Sequence, residues 1–436
     1  MLSLPEKFVQ RMRERLPAEE REAFFAVYDR PPYRGLRVNS LKISAAEFMK
    51  ISPFSLRPVP WEPNGFYTDA EKPGGHPFHF AGLYYSQEPS AMCAAPLLSA
   101  QPGERVLDLC AAPGGKGTQL AAAMAGRGLL VLNEPVLARA QTLSRNVERL
   151  GVKNAVVLNE MPERLAAFFG EYFDKILVDA PCSGEGMFRK NPVEAIGEWS
   201  EENVQMCAAR QRGILQSAAK MLRPGGRLVY STCTFAEEED EGQVSDYLLS
   251  HPEMRLLESR KLYPHREAGE GHFAALFEKA ESGANGDFCP SSVRAVRPRV
   301  SREGEKVYRR FEGEFLHICA ERLHEAGGIL YALPEGMFDW RDLRVLRVGV
   351  RLGELKNGRF EPSHSLAMSL GGEAFSLCVR LAADDARTGK FLRGEGIEAD
   401  AGGKGWCGVC VGGFPVGWGK AADGFVKNHI PKGLRL

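Results

Sequence analysis

The chain is 436 residues long, 44% hydrophobic and 26% charged, with 56 basic side chains against 56 acidic ones. That is a globular composition with length for about three domains, and zero net charge excludes a whole-molecule field that would draw a polyanion. No run approaches the roughly 20 apolar residues of a membrane span, and Met1 to Glu20 alternates charged and apolar residues without a signal-peptide core, so a cytoplasmic location is expected, in which the ten cysteines are mostly free thiols.

In chain order, residues 1–99 read as a small α+β module: a helix-like start (Phe8, Met12, Leu16) runs into Pro/Gly-rich stretches, and Trp61 to Gly82 is rich in turns. Residues 100–280 change to alternating strands and helices. Val106-Leu107-Asp108-Leu109 predicts a strand and Thr118 to Met124 a helix; Leu129 to Leu132 is a strand, and Val136 to Leu150 a helix with Ala140, Leu143, Val147 and Leu150 on one face. Ala155 to Leu158, Lys175 to Asp179 and Arg227 to Tyr230 follow as strands, with a helix over Asn203 to Leu222 stopped by Arg223-Pro224-Gly225-Gly226, and His272 to Phe277 closes the sheet as its last strand. Short continuous apolar strands separated by helices predict an α/β fold, a parallel doubly wound sheet. Residues 281–299 read as a linker. Residues 300–436 predict a β-rich extension, short-stranded and Gly-rich toward its end.

The turn after the first strand, Cys110-Ala111-Ala112-Pro113-Gly114-Gly115-Lys116-Gly117, lets backbone approach a ligand at a helix N-terminus. It is not a phosphate loop, because Gly115-Lys116 is followed by Gly117 rather than Ser/Thr, and the dinucleotide GxGxxG spacing fails as well. Glu134, at the end of the second strand, suits a pair of ribose hydroxyls. Asn159, at the end of the third, suits an adenine edge or, equally, a loop cap. These residues predict an adenosine-type cofactor whose identity stays open between NAD and S-adenosylmethionine.

Pro181-Cys182 and Thr232-Cys233 lie about 50 residues apart, each just after an apolar strand, so both thiols should emerge at the carboxyl end of one sheet. Two thiols aimed at one crevice suggest covalent chemistry. If the cofactor is a methyl donor, one thiolate adds to carbon 6 of a pyrimidine and makes carbon 5 nucleophilic. A carboxyl group assists at ring nitrogen 3, and Asp179 stands three residues before Cys182. A second thiol then removes the carbon-5 proton so that the first can leave. A dehydrogenase with a redox cysteine pair is the rival class, and Cys407-Gly408-Val409-Cys410, a lone CxxC with no second pair, predicts no metal site. Cys93, Cys207, Cys289, Cys319 and Cys378 are read as packing residues.

With these residues in view the chain resembles the Sun/nucleolar-protein family of RNA cytosine-5 methyltransferases, and within it the bacterial RsmF type. Asp108-Leu109-Cys110-Ala111-Ala112-Pro113-Gly114-Gly115-Lys116 is similar to the family's first motif. Asp179-Ala180-Pro181-Cys182-Ser183-Gly184-Glu185-Gly186 is similar to its fourth and Tyr230-Ser231-Thr232-Cys233-Thr234 to its sixth. Arg37-Val38-Asn39 and Gln87-Glu88-Pro89-Ser90-Ala91-Met92 resemble upstream elements, and Gly417-Trp418-Gly419-Lys420 with Lys427 to Arg435 the last strands of a PUA-like module. The resemblance implies a Rossmann-like S-adenosylmethionine-dependent core between an N-terminal RNA-binding module and the C-terminal extension. It implies Cys233 as nucleophile, Cys182 as assistant in release, and Cys110 to Lys116, Glu134 and Asp179 around the cofactor, with Asp179 also near the base. The expected partner is RNA, most of all small-subunit ribosomal RNA, with transfer RNA and a non-catalytic assembly role as alternatives, and the protein is expected to be a monomer. Tyr84, Tyr85, Phe188 and Trp199 are candidates for stacking on a splayed-out base. Ser291 to Arg310, with seven Lys/Arg against two Glu, and Lys404 to Leu436, with five against one Asp, are candidate phosphate contacts. The run Glu237-Glu238-Glu239-Asp240-Glu241 is expected to face away from RNA.

Overall fold

The computed structural model describes residues 2–281 and 293–436; most of the expected linker, the start of the first basic segment and Cys289 lie outside the described residues. The catalytic region is built on strands β1 (Arg105–Asp108), β2 (Leu129–Asn133), β3 (Ala155–Leu158), β4 (Phe173–Asp179), β5 (Leu222–Thr232), β6 (Met254–Leu262) and β7 (His272–Lys279), joined by β8 (Val345–Val348) from the C-terminal extension. Their order across the sheet is β6-β7-β5-β4-β1-β2-β3-β8. β1 to β5 are mutually parallel, so their carboxyl ends share one edge, where open α/β sheets bind ligands. The apolar runs read as continuous because these strands are covered on both faces. Residues such as Leu107, Val131, Val156 and Ile176 are fully buried. Helix α1 (Gly115–Ala123) follows β1 and α2 (Leu137–Arg149) follows β2, the latter burying Ala140, Leu143 and Val147. Helix α3 (Glu201–Met221) starts where the Ser200 side chain accepts a hydrogen bond from the Asn203 N–H.

Two features depart from the sequence reading. The strand at His272 is not the edge: β7 runs antiparallel between β5 and β6. At the other side β8 pairs antiparallel with β3, Val345 facing Leu158 and Val348 facing Val156. The C-terminal extension is therefore not a free-standing module. It covers an all-buried strand whose edge would otherwise present unpaired N–H and C=O groups. The rest of the extension is β-rich, a four-stranded sheet within residues 323–362 and a five-stranded sheet within residues 378–428. The N-terminal residues form a four-stranded sheet, and Leu36, Phe48 and Leu83 of this region share one apolar cluster with Val379, Phe391 and Val409 of the far C-terminal region.

Candidate active site

A cavity of about 1050 Å³ opens at the shared carboxyl edge of the parallel strands. Of the sequence-predicted residues, Cys110, Ala111, Ala112, Pro113, Gly115, Lys116, Glu134, Asp179, Cys182 and Cys233 all line it. Gly114 stands behind the loop, where φ of +112° requires glycine as the residue before α1. At Gly117 the demand is packing: a Cβ there would come within 2.7 Å of Leu132.

The two thiols meet because β4 and β5 are neighbours, with Asp179 in register with Ser231. The Cys182 and Cys233 sulfurs lie 3.3 Å apart, and the Cys233 N–H points at the Cys182 sulfur over 3.4 Å. The hydrogen bond with Cys233, then burial, then the charge on Cys233 push the Cys182 thiol well above its ordinary range. Asp179 accepts hydrogen bonds from Ser231 Oγ at 2.8 Å and forms an ion pair with Lys116 Nζ at 2.7 Å. Burial pushes this carboxyl upward, but Lys116 and the hydrogen bonds from Lys116 and Ser231 outweigh it and hold it below the usual carboxylate range. Lys116 and Ser231 thus hold Asp179 as an acceptor.

Four residues not singled out as site residues also line the cavity: Asp108, Val136, Met161 and His272. Asp108 is fully buried with both carboxylate oxygens unpartnered, and burial first, then Asp179, raises its carboxyl to about 8. Tyr85 apart, the apolar signal is at the mouth: Val136 and Met161 are 50% and 58% exposed. His272 sits beside Asp179, its Nε2 4.0 Å from Oδ1. A carboxylate alone in an apolar strand, and a lone His opening one, were the signals available in the sequence. The cavity fits the cofactor class implied by the resemblance: orphaned Asp108 oxygens suit a cationic group, Glu134 hydroxyls, and the exposed apolar pair a flat base.

Several expectations are corrected. Asn159 does not line the cavity; it is buried and donates to the Glu134 and Pro135 carbonyls at 2.9 and 2.8 Å, so it caps the loop. Tyr84 and Phe188 are fully buried, and Trp199 is committed to Glu185 through its indole N–H at 2.9 Å; of the four aromatics only Tyr85 reaches the cavity. The acidic run does turn from the cavity, yet Glu239 and Asp240 turn inward. Glu239 accepts from the Ser183 N–H at 3.0 Å and Gln211 Nε2 at 2.8 Å, holding the loop after Cys182. Asp240 accepts from Thr232 Oγ1 at 2.6 Å and pairs with Lys261 at 2.9 Å, holding the strand end before Cys233. The upstream elements form a wall of the site: Arg37 bonds Thr118 Oγ1 at 2.8 Å, the Gly115 carbonyl at 2.5 Å, and Gln87.

The sheet, its glycine-rich first turn and the thiol pair at the strand ends define a methyltransferase. Residues 95–278 match the family model of 16S rRNA methyltransferase RsmB/F. Residues 4–89 match the N-terminal domain of 16S rRNA methyltransferase RsmF, 310–370 the RsmF first C-terminal domain, and 378–436 the RsmF PUA domain. Ribosomal RNA small subunit methyltransferase F of Vibrio cholerae is 33% identical over 99% of this chain and 98% of its own, and that of Aeromonas salmonicida is 33% identical over 99% and 97%. Among solved structures, a methyltransferase homolog protein from Pyrococcus horikoshii is 30% identical with a TM-score of 0.57, covering 64% of this chain and 96% of its own. NSun6 from the same organism, solved with SFG, shares the fold at 22% identity and a TM-score of 0.58, over 64% of this chain and 99% of its own. The chain belongs to the 16S rRNA methyltransferase RsmB/F family.

Proposed function

We propose that this enzyme methylates carbon 5 of a cytosine in small-subunit ribosomal RNA, with Cys233 as nucleophile, Cys182 as the base that allows release, and S-adenosylmethionine as methyl donor. The observation that carries the reading is the thiol pair 3.3 Å apart in one cavity with an ionised Asp179. When bound, S-adenosylmethionine supplies an electrophilic methyl group; Asp108 and Glu134 would hold its cationic and ribose parts, with Val136 and Met161 against its base. Asp179 accepts the exocyclic amine of cytosine, which a uracil carbonyl cannot offer. Cys233 adds to carbon 6 and makes carbon 5 nucleophilic.

The same neighbours explain the order of events at Cys182. Its proton is held first by the bond to Cys233, then by burial, then by the charge at Cys233. Once the Cys233 sulfur is spent in a carbon–sulfur bond, the first and third causes vanish. Cys182 then becomes able to ionise and take the carbon-5 proton, so that Cys233 leaves. The C-terminal basic segment and the described part of the linker-proximal one suit contacts to RNA phosphates. Among the described residues no helix is long and apolar enough to cross a membrane.

Bisulfite sequencing of total RNA from cells with and without the gene tests this directly: a 16S cytosine should lose protection in the deletion, and no such loss refutes the function. Cys182→Ala should accumulate a covalent protein–RNA adduct through Cys233. An adduct trapped by Cys233→Ala instead would reverse the two roles.

A further inference from the structure

His272 is 1% exposed, lines the cavity, and has no hydrogen-bond partner on either ring nitrogen. An unsatisfied buried imidazole costs stability, so its place calls for a ligand. Its position is fixed twice. In the β5/β7 ladder Phe273 faces Thr232, and the next step of that register sets His272 opposite Cys233. The turn before it is anchored by Glu270, buried and paired with Arg189 at 2.7 Å, and by Gly271, whose φ of +119° admits no side chain beside Phe235. The 4.0 Å between His272 Nε2 and Asp179 Oδ1 is too long for a hydrogen bond. Both residues line the same cavity.

We propose that the His272 imidazole donates a hydrogen bond to ring nitrogen 3 of the cytosine under attack, beside the amine held by Asp179. This rests on the function proposed above. The electron count requires such a donor. As the Cys233 sulfur bonds carbon 6, the carbon 5–carbon 6 double bond shifts to carbon 4–carbon 5, and the pair from the carbon 4–nitrogen 3 double bond lands on nitrogen 3. The charge returns from nitrogen 3 when carbon 5 takes the methyl group. Asp179 is ionised and cannot donate there, and Lys116 is engaged by Asp179 at 2.7 Å. The neutral imidazole follows from burial first and Lys116 second, which lower it to about 3. It has an N–H to give and no net charge to repel Lys116.

The test uses the full-length enzyme and in vitro transcribed 16S rRNA carrying 5-azacytidine. Nitrogen replaces carbon 5 in that ring, so no proton can be removed there and the Cys233 adduct persists. Adduct formation is followed on denaturing gels for wild type, His272→Phe (or His272→Leu should the ring not fit) and His272→Gln, which keeps an N–H donor. S-adenosylmethionine affinity by calorimetry reports whether each cavity is intact. His272→Phe should slow adduct formation about 100-fold or more, the usual effect of losing one aimed donor, with His272→Gln within about tenfold of wild type and cofactor affinity unchanged. A rate for His272→Phe near wild type overturns the role. So does His272→Gln as slow as His272→Phe with cofactor binding intact, since packing alone would then explain the loss. A wild type that forms no adduct overturns the proposed function itself, and this role with it.

Discussion

Replacing Lys116 by Met isolates what holds Asp179 ionised. Lys116 Nζ is 2.7 Å from the carboxylate, with side-chain exposures of 8% and 32% for the pair. The carboxylate opens onto the cavity, so removing its partner should cost about 1.5–3 kcal/mol, between the values for surface and fully buried pairs. Losing that pairing lifts the carboxyl, since Lys116 is the main group holding it down. The sign is set by the group. A carboxyl held below its unfolded value contributes stability above that value and loses it as pH falls through the folded one. With Lys116 gone, burial is left to push Asp179 upward, and the acceptor for the cytosine amine is neutralised at a higher pH. The acid limb of kcat/KM for methylation should therefore move up in Lys116→Met, whereas Asp179→Asn, with no carboxyl to titrate, should be slow throughout with no such limb. Methyl transfer from labelled cofactor to 16S rRNA across pH 4 to 8 provides the profile. An unmoved acid limb in Lys116→Met, or a higher KM for S-adenosylmethionine as its only defect, would refute the reasoning and assign Lys116 to the cofactor instead.

Asn159→Ala should leave S-adenosylmethionine affinity within about threefold and lower stability by about 1 kcal/mol, since its amide serves two backbone carbonyls; Glu134→Ala should weaken binding more than tenfold, and calorimetry separates the two. Arg189→Met leaves the Glu270 carboxylate buried and without its cation, so the melting temperature should fall by an amount equivalent to about 3 kcal/mol, with thermal unfolding as the measure. Arg347→Pro removes one N–H from the short β8 pairing with β3 and breaks the Arg347 ion pair with Glu148 at 2.9 Å; the exposed β3 edge should appear as faster hydrogen exchange over residues 155–158.

The central sheet was readable because strands buried on both faces leave a continuous apolar run, and a thiol immediately after such a run must emerge at the carboxyl edge. Leu177-Val178-Asp179 and Leu228-Val229-Tyr230 behave in this way, which is why Cys182 and Cys233 converge. Pairing between distant segments leaves no such trace. Val345–Val348 is four residues with a central arginine, and nothing in it announces that its partner is β3. Stacking aromatics failed for a related reason: Phe188 and Trp199 gain more from the apolar cluster with Phe8 and Phe24 than from a wet groove, and composition does not tell a platform from a core. Asn159 was left between a loop cap and an adenine contact because short amides cap loops as readily as they read bases, and the cap is what its two bonds make.

Spacing cannot tell one thiol of the pair from the other; their surroundings can. Cys182 carries its sulfur on a loop fastened from below by Glu239, while Thr232, just before Cys233, is fastened by Asp240. Adjacent acids of one run therefore hold the two thiol-bearing segments, and a shift in either anchor would open the 3.3 Å contact between the sulfurs. That contact helps Cys182 retain its proton, which suits an addition followed by a deprotonation. The acidity of the run is thus explained in part by the need to clamp both strand ends, through Glu239 and Asp240.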